Sequence, residues 1–289
     1  MKKLIIPVLM LLPLWACNGT ATDKGDDIDT TGYTIFKVDT EDLQIEGSSL
    51  AGKWENGDCI GVFGSEAGCN VPYSLKRSGD GLQAATFYGE LVKGDVQAYF
   101  PYADGVASGE GTLPCELDYV QAFAPEESFV EHFLKYNPRS FASLGSDATL
   151  HFRYPMGLMD LQVGFDEPVA VNAVTLNSSF GIAGRLEVGA DGEVKDSGLA
   201  HKYISLDLGA DPVPSKTDAG ITHFLFVLPP RTYAAGELSL VIGTADEEIH
   251  IMMKETVIQR VSSTAFPVTE VTVGTSDIAP YNKEDGFFE

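Results

Sequence analysis

From Tyr33 onward, apolar and polar residues alternate with a period of two, and Gly, Asp, Asn, Pro and Ser interrupt the pattern at short intervals. That period puts successive side chains on opposite faces of an extended chain, so it favours sheet and disfavours helix. Strands are expected at 33–38, 58–63, 95–100, 158–165, 238–242 and 268–273. Many short strands, with turn signals every ~8–12 residues, indicate a sandwich or barrel of mostly antiparallel sheets. Helical signal is confined to 125–134, where Pro125 can open a helix and Glu126 and Glu127 suit its first turn. That stretch reads as one short helix or as a loop.

With 289 residues and 44% apolar residues, the chain can bury a core in one large domain or two ordinary ones. No repeat of 20–50 residues is present, which counts against a propeller or solenoid. A Gly/Ser/Asp stretch from Ser143 to Asp147 divides two strand-rich halves, expected at 33–147 and 148–278, with a tail at 279–289. A strand at 148–153 could belong to either half. The 19 basic residues against 42 acidic ones give a formal charge of −23. Such a surface cannot neutralise a phosphate backbone, so nucleic acid is excluded as a partner.

The first 17 residues read as an export signal. Lys2 and Lys3 precede a short apolar run from Leu4 to Trp15, shorter than the ~20 residues a spanning helix needs. The sequence Leu14-Trp15-Ala16-Cys17 resembles a bacterial lipobox, in which the Cys, here Cys17, is acylated and becomes the first mature residue. Residues 18–32 are small and polar, with four aspartates, and read as a flexible tether. An acidic stretch after a lipidated Cys resembles the surface-export signal of Bacteroidetes lipoproteins.

Three further cysteines remain, Cys59, Cys69 and Cys115. Cys59 and Cys69 could bridge a hairpin and leave Cys115 unpaired; the pairing stays open at this level. No G-x-S-x-G elbow, P-loop, H-E-x-x-H or EF-hand loop occurs, and nothing asks for a cofactor or metal. The five histidines are scattered, and His151, His223 and His250 fall in alternating segments, where a hydrogen-bonded sheet histidine is expected. Trp54, Tyr73 and Tyr102 could form an aromatic platform that stacks on sugars, or could pack between strands. Residue chemistry alone describes a non-catalytic surface β protein.

Three stretches together resemble the fimbrillin family, the surface lipoproteins that form type V pili of Bacteroidetes. They are Trp54-Glu55-Asn56-Gly57-Asp58-Cys59-Ile60-Gly61-Val62-Phe63, then Ala98-Tyr99-Phe100-Pro101-Tyr102, then Phe224-Leu225-Phe226-Val227-Leu228-Pro229-Pro230 followed by Gly236-Glu237-Leu238-Ser239-Leu240. Each also has a physical reading. Asn56-Gly57 supplies a positive φ for a tight turn. Pro101 and Pro229-Pro230 remove ladder donors, so they end a strand and force a change of sheet.

The resemblance implies two transthyretin-like Greek-key β-sandwich domains and no enzymatic activity. It also implies a lipoprotein held on the outer membrane through Cys17, exposed at the cell surface in a fimbrium, with other pilus subunits as partners and a host or bacterial surface ligand for adhesion. Assembly would proceed by donor-strand exchange, with residues 33–42 as the removable strand and 268–288 holding the donor segment. The alternative is a surface glycan-binding lipoprotein. Family maturation often cuts after an Arg near the first strand, whereas here no Arg precedes Arg77, which points to an anchor or accessory subunit.

Overall fold

The computed structural model describes residues 30–45, 54–65, 70–76, 84–106, 112–137, 139–163, 168–189, 191–195, 198–217, 220–245 and 248–268. The first strands are β1 (Thr34–Thr40), β2 (Cys59–Phe63), β3 (Val71–Leu75), β4 (Ala85–Gly89) and β5 (Gln97–Phe100). After them come β6 (Thr112–Leu117), β7 (Val120–Ala122), helix α1 (Phe129–Tyr136), β8 (Ser140–Ser143) and β9 (Thr149–Phe152). The remainder is β10 (Gly157–Val163), β11 (Ala170–Ser178), β12 (Gly184–Gly189), β13 (Val194–Lys195), β14 (Tyr203–Asp207), β15 (Val213–Pro214), β16 (Lys216–Thr217) and β17 (Gly220–Leu228). Then follow β18 (Arg231–Tyr233), β19 (Leu238–Thr244), β20 (Glu248–Met252), β21 (Thr256–Ile258) and β22 (Ser263–Val268). The chain is all-β, with one short helix among the described residues.

The first sheet runs β8-β5-β2-β3-β4-β1-β9, and its two ends meet. Phe141 and Arg153 exchange backbone hydrogen bonds of 2.9 and 2.8 Å, and Leu144 pairs with Leu150 in the same register. Seven strands therefore close into a barrel, and closure leaves no open edge. Its interior holds Phe36, Val38, Trp54, Ile60, Val62, Tyr73, Phe87, Ala98, Leu150 and Phe152. The alternation on each strand supplies these residues, because every second side chain points inward. The all-β, multi-sheet architecture agrees with the sandwich fold class that the resemblance implies.

A second core lies between the sheets β16-β17-β10-β22 and β20-β19-β11-β14-β7, with β15 added to β11. Two smaller sheets, β13-β12-β6 and β18-β21, complete it. Strands β6 and β7 precede the expected boundary at 147, yet they pair with β12 and β14. Strand β9, beyond that boundary, pairs with β1 instead. The segment carrying β6, β7 and α1 thus crosses to the second core before the barrel is finished.

Prolines act at the changes of sheet. Strand β17 belongs to one sheet, β18 to another and β19 to a third, with Pro229-Pro230 between the first two. The buried Tyr233 hydroxyl donates to the Pro229 carbonyl and fixes this corner. Where β17 lacks a strand on one side, the buried Gln121 amide substitutes: it donates to the Val227 carbonyl at 2.8 Å and accepts from its N–H at 2.9 Å. Two ladder groups that burial would leave unpaired are satisfied in this way. Helix α1 begins at a capping box, with Ser128 accepting from the Glu131 N–H and Glu131 accepting from the Ser128 N–H.

Candidate functional site: the first strand and its neighbours

Strand β1 is hydrogen-bonded along both edges. It lies antiparallel to β4, with Phe36 opposite Phe87, and parallel to β9, with Val38 opposite Leu150. Phe36 and Val38 point into the barrel, while Ile35 and Tyr33 remain exposed, Tyr33 meeting the Tyr88 ring edge-on at 5.5 Å. The first described strand is therefore an interior stave of a closed sheet.

On the outer face, Asp39 stands directly opposite His151, with Oδ1 to Nδ1 2.7 Å. Asp147 approaches the other imidazole nitrogen at 3.4 Å. The Asp39 hydrogen bond raises the pKa of His151 above its ordinary value, and the Asp147 carboxylate acts in the same direction.

The chain then leaves the barrel for the second core. Glu41 accepts a hydrogen bond from the Tyr154 N–H and pairs with the Arg260 guanidinium, which also donates to the Tyr154 carbonyl. Leu43 and Ile45, two residues apart, are each 2% exposed and belong to the second core. Between them, the Gln44 N–H donates to the Val261 carbonyl at 2.7 Å. Residues 34–45 thus seal the barrel and reach the second core in one run. Asp39 and His151 are 112 positions apart and Glu41 and Arg260 are 219, so no local pattern could reveal either pair.

Of the two roles open to Trp54, Tyr73 and Tyr102, an aromatic platform or packing between strands, Trp54 and Tyr73 take the second. Trp54 is 2% exposed and its ring is met edge-on by Phe87, Phe100 and Phe152 at 5.0–5.2 Å. Tyr73 is wholly buried, with its ring filling the space where a side chain at Gly89 would lie. A stacking surface needs an open ring face, and the barrel interior takes both. Tyr102 alone is partly exposed; its hydroxyl donates to Asp104, which raises its pKa.

The first two family-like motifs form one unit. Gly57 has φ +98°, as the Asn-Gly turn requires. Gly61 lies opposite Tyr99 on β5, and the tyrosine ring occupies the glycine's side-chain space. The Tyr99 hydroxyl donates to the Ala103 carbonyl at 2.9 Å and accepts from the Ala103 N–H at 3.1 Å and the Asn70 amide at 3.0 Å.

Cys59 and Cys115 are buried, and burial pushes the Cys115 thiol up to about 12. Cys69, which could pair with Cys59, lies outside the described residues, as do Cys17 and every residue after Val268. His151, His223 and His250 sit in β9, β17 and β20 and meet Asp39, Asp160 and Glu248. Among the described residues, no group of His, Cys, Asp and Glu could hold a metal ion, and no helix is long and apolar enough to cross a membrane.

These features define an all-β protein with two linked cores, whose first strand is integral to both the barrel and its junction with the second core. No family model matches the chain, and no curated protein matches it. Solved structures do. A protein from Bacteroides ovatus assigned to cell adhesion superposes with a TM-score of 0.53 at 16% identity, covering 82% of this chain and 92% of its own. A second protein so assigned, from Bacteroides uniformis, gives 0.48 at 14% identity, covering 83% and 93%. The tip fimbrial protein Mfa3 from Porphyromonas gingivalis gives 0.37 at 10%, covering 81% and 94%. The chain shares its fold with the first; the other two superpositions are too loose to define a common fold by themselves. These similar structures bear the names of adhesion and fimbrial proteins rather than of enzymes.

Proposed function

We propose that this protein is a structural or accessory subunit of a cell-surface fimbria of the type V pilus kind, assembling by donor-strand exchange and engaging a surface ligand as an adhesin. The placement of β1 carries the reading. Taking β1 out would leave β4 and β9 with unpaired ladder groups facing one slot, and would empty the positions of Phe36 and Val38. Each such apolar side chain contributes about 1.5–3 kcal/mol through burial. An extended segment from another subunit, with apolar residues two apart, would restore both the hydrogen bonds and the core. The sequence resemblance and the fold shared with the Bacteroides ovatus protein support the same conclusion.

On this reading the mature chain begins at acylated Cys17 on the outer membrane, or loses residues 33–42 and its lipid on maturation. Partners are other pilus subunits, and the donor segment lies within 268–288. Intact mass and N-terminal sequencing of the protein taken from its native surface test this. A start within 34–53 without lipid marks a polymerising subunit. An acylated Cys17 on an intact chain marks an anchor or a non-polymerising adhesin, and makes a stalk role wrong.

A further inference from the structure

Val261 has φ +53°, in the left-handed region. For an L-residue this crowds Cβ against the backbone, and for a β-branched one the two γ-methyls worsen the clash. The residue is buried and stands at the corner between β21 and β22. Two hydrogen bonds hold it there: its N–H donates to the Met156 carbonyl at 2.8 Å, and its carbonyl accepts from the Gln44 N–H at 2.7 Å. The neighbours on both sides are held as well. Arg260 pairs with Glu41, and Ser262 is bridged in parallel to Gln44. Leu43 and Ile45 share the core to which Val261 belongs.

From this corner β22 sets off parallel to β10, with Ser263 opposite Leu158. Among the described strands it lies at the edge of its sheet, with Ala265 and Pro267 exposed. Its Phe266 packs against the second core and its Thr264 hydroxyl donates to the Val257 carbonyl. A parallel pair at an edge is weaker than an interior antiparallel one. The direction in which β22 leaves the corner depends on the Val261 dihedral, which Met156 holds from one side and Gln44, far away in sequence, holds from the other.

We propose that Glu41–Ile45 is a latch on the last described strand: it keeps Val261 in its strained conformation and so keeps β22 in register on β10. When the latch is withdrawn, Val261 relaxes toward negative φ, Ser262 and Ser263 turn away from Leu158, and β22 detaches. The latch is a property of the single chain. Its use in assembly rests on the function proposed above: Glu41 directly follows β1, so a chain that loses 33–42 would lose the Glu41–Arg260 pair and loosen the hold of Leu43–Ile45 on β22 in the same event. Opening of the acceptor slot and loosening of β22 would then be coupled.

Amide hydrogen exchange of the full chain, read by mass spectrometry, tests the latch with β1 still in place, independently of whether β1 is ever removed. Gln44→Pro deletes the N–H that holds the Val261 carbonyl. Exchange in β22 should accelerate at least about tenfold (1.4 kcal/mol), while β11 and β19 stay within about twofold of the parent. Glu41→Gln, which keeps the backbone bond and removes the charge, should give a smaller acceleration confined to the same strand, and serves if Gln44→Pro does not fold. Unchanged exchange in β22 overturns the proposal. So does a uniform acceleration of β22, β11 and β19, because the segment would then stabilise the whole second core rather than hold one strand.

Discussion

Gly61→Ala tests whether the two barrel motifs are mechanically one. A Cβ on Gly61 would stand 2.1 Å from Cε1 of Tyr99, 2.4 Å from Cζ and 2.7 Å from the hydroxyl oxygen, where ordinary contact begins near 3.4 Å. The ring must therefore retreat by more than an ångström. It cannot do so freely, because Tyr99 is wholly buried and its hydroxyl is held by Asn70 and by both backbone groups of Ala103. Overpacking of this kind costs about 1–3 kcal/mol. Breaking the hydroxyl's buried hydrogen bonds adds about 1–3 kcal/mol, and Ala recovers about 0.5 kcal/mol over Gly in a strand. The net loss is about 2–5 kcal/mol against a typical total stability of about 5–15 kcal/mol.

Urea unfolding followed by fluorescence gives the number. A double-mutant cycle with Tyr99→Leu isolates its cause, because without the ring the cost of Gly61→Ala should fall below about 1 kcal/mol. Equal costs with and without the ring would refute the packing account.

Three further outcomes follow from the same geometry. Trp54→Ala should cost about 3–5 kcal/mol in urea unfolding, as removal of a core indole does; a change under 1 kcal/mol would mean the ring is not packed as described. Ser128→Ala should cost about 1 kcal/mol by removing the helix cap, seen as faster amide exchange in the first turn of α1 with the barrel strands unaffected. His151 and His132 should have opposite pH signatures. The raised pKa of His151 adds stability that is fully present below about pH 6.5 and is lost as pH rises through the folded value. Burial lowers the pKa of His132, so its contribution is present above about pH 6.5 and is lost as pH falls through the folded value. Urea midpoints at about pH 5.5 and 8 for His151→Gln and His132→Gln should therefore shift in opposite senses relative to the parent; shifts of the same sign would show the assignment to be wrong.

Local chemistry carried the strands into the sequence. The alternation at 33–38, 58–63, 95–100 and 238–242 falls on β1, β2, β5 and β19 with small shifts at the ends. Asn56-Gly57 makes its turn, and Pro229-Pro230 marks a change of sheet. The helix signal at 125–134 became α1 at Phe129–Tyr136, because Ser128 provides the cap that Pro125 does not. Trp54 and Tyr73 show where such reading stops. An aromatic residue in a strand is equally suited to an outer and an inner face, and only the partner strands decide which it takes.

A period of two and turn residues act over a few bonds, so an all-β chain rich in turns is legible before any long-range contact forms. Which strands become neighbours is not legible in that way. That β8 and β9 close the barrel, that β6 and β7 cross to the second core, and that Glu41 meets Arg260 are choices among edges. Strand edges offer the same backbone groups whatever their side chains, so alternation cannot encode which edge meets which. Pairings across 112 or 219 positions are settled only when the two cores fill together.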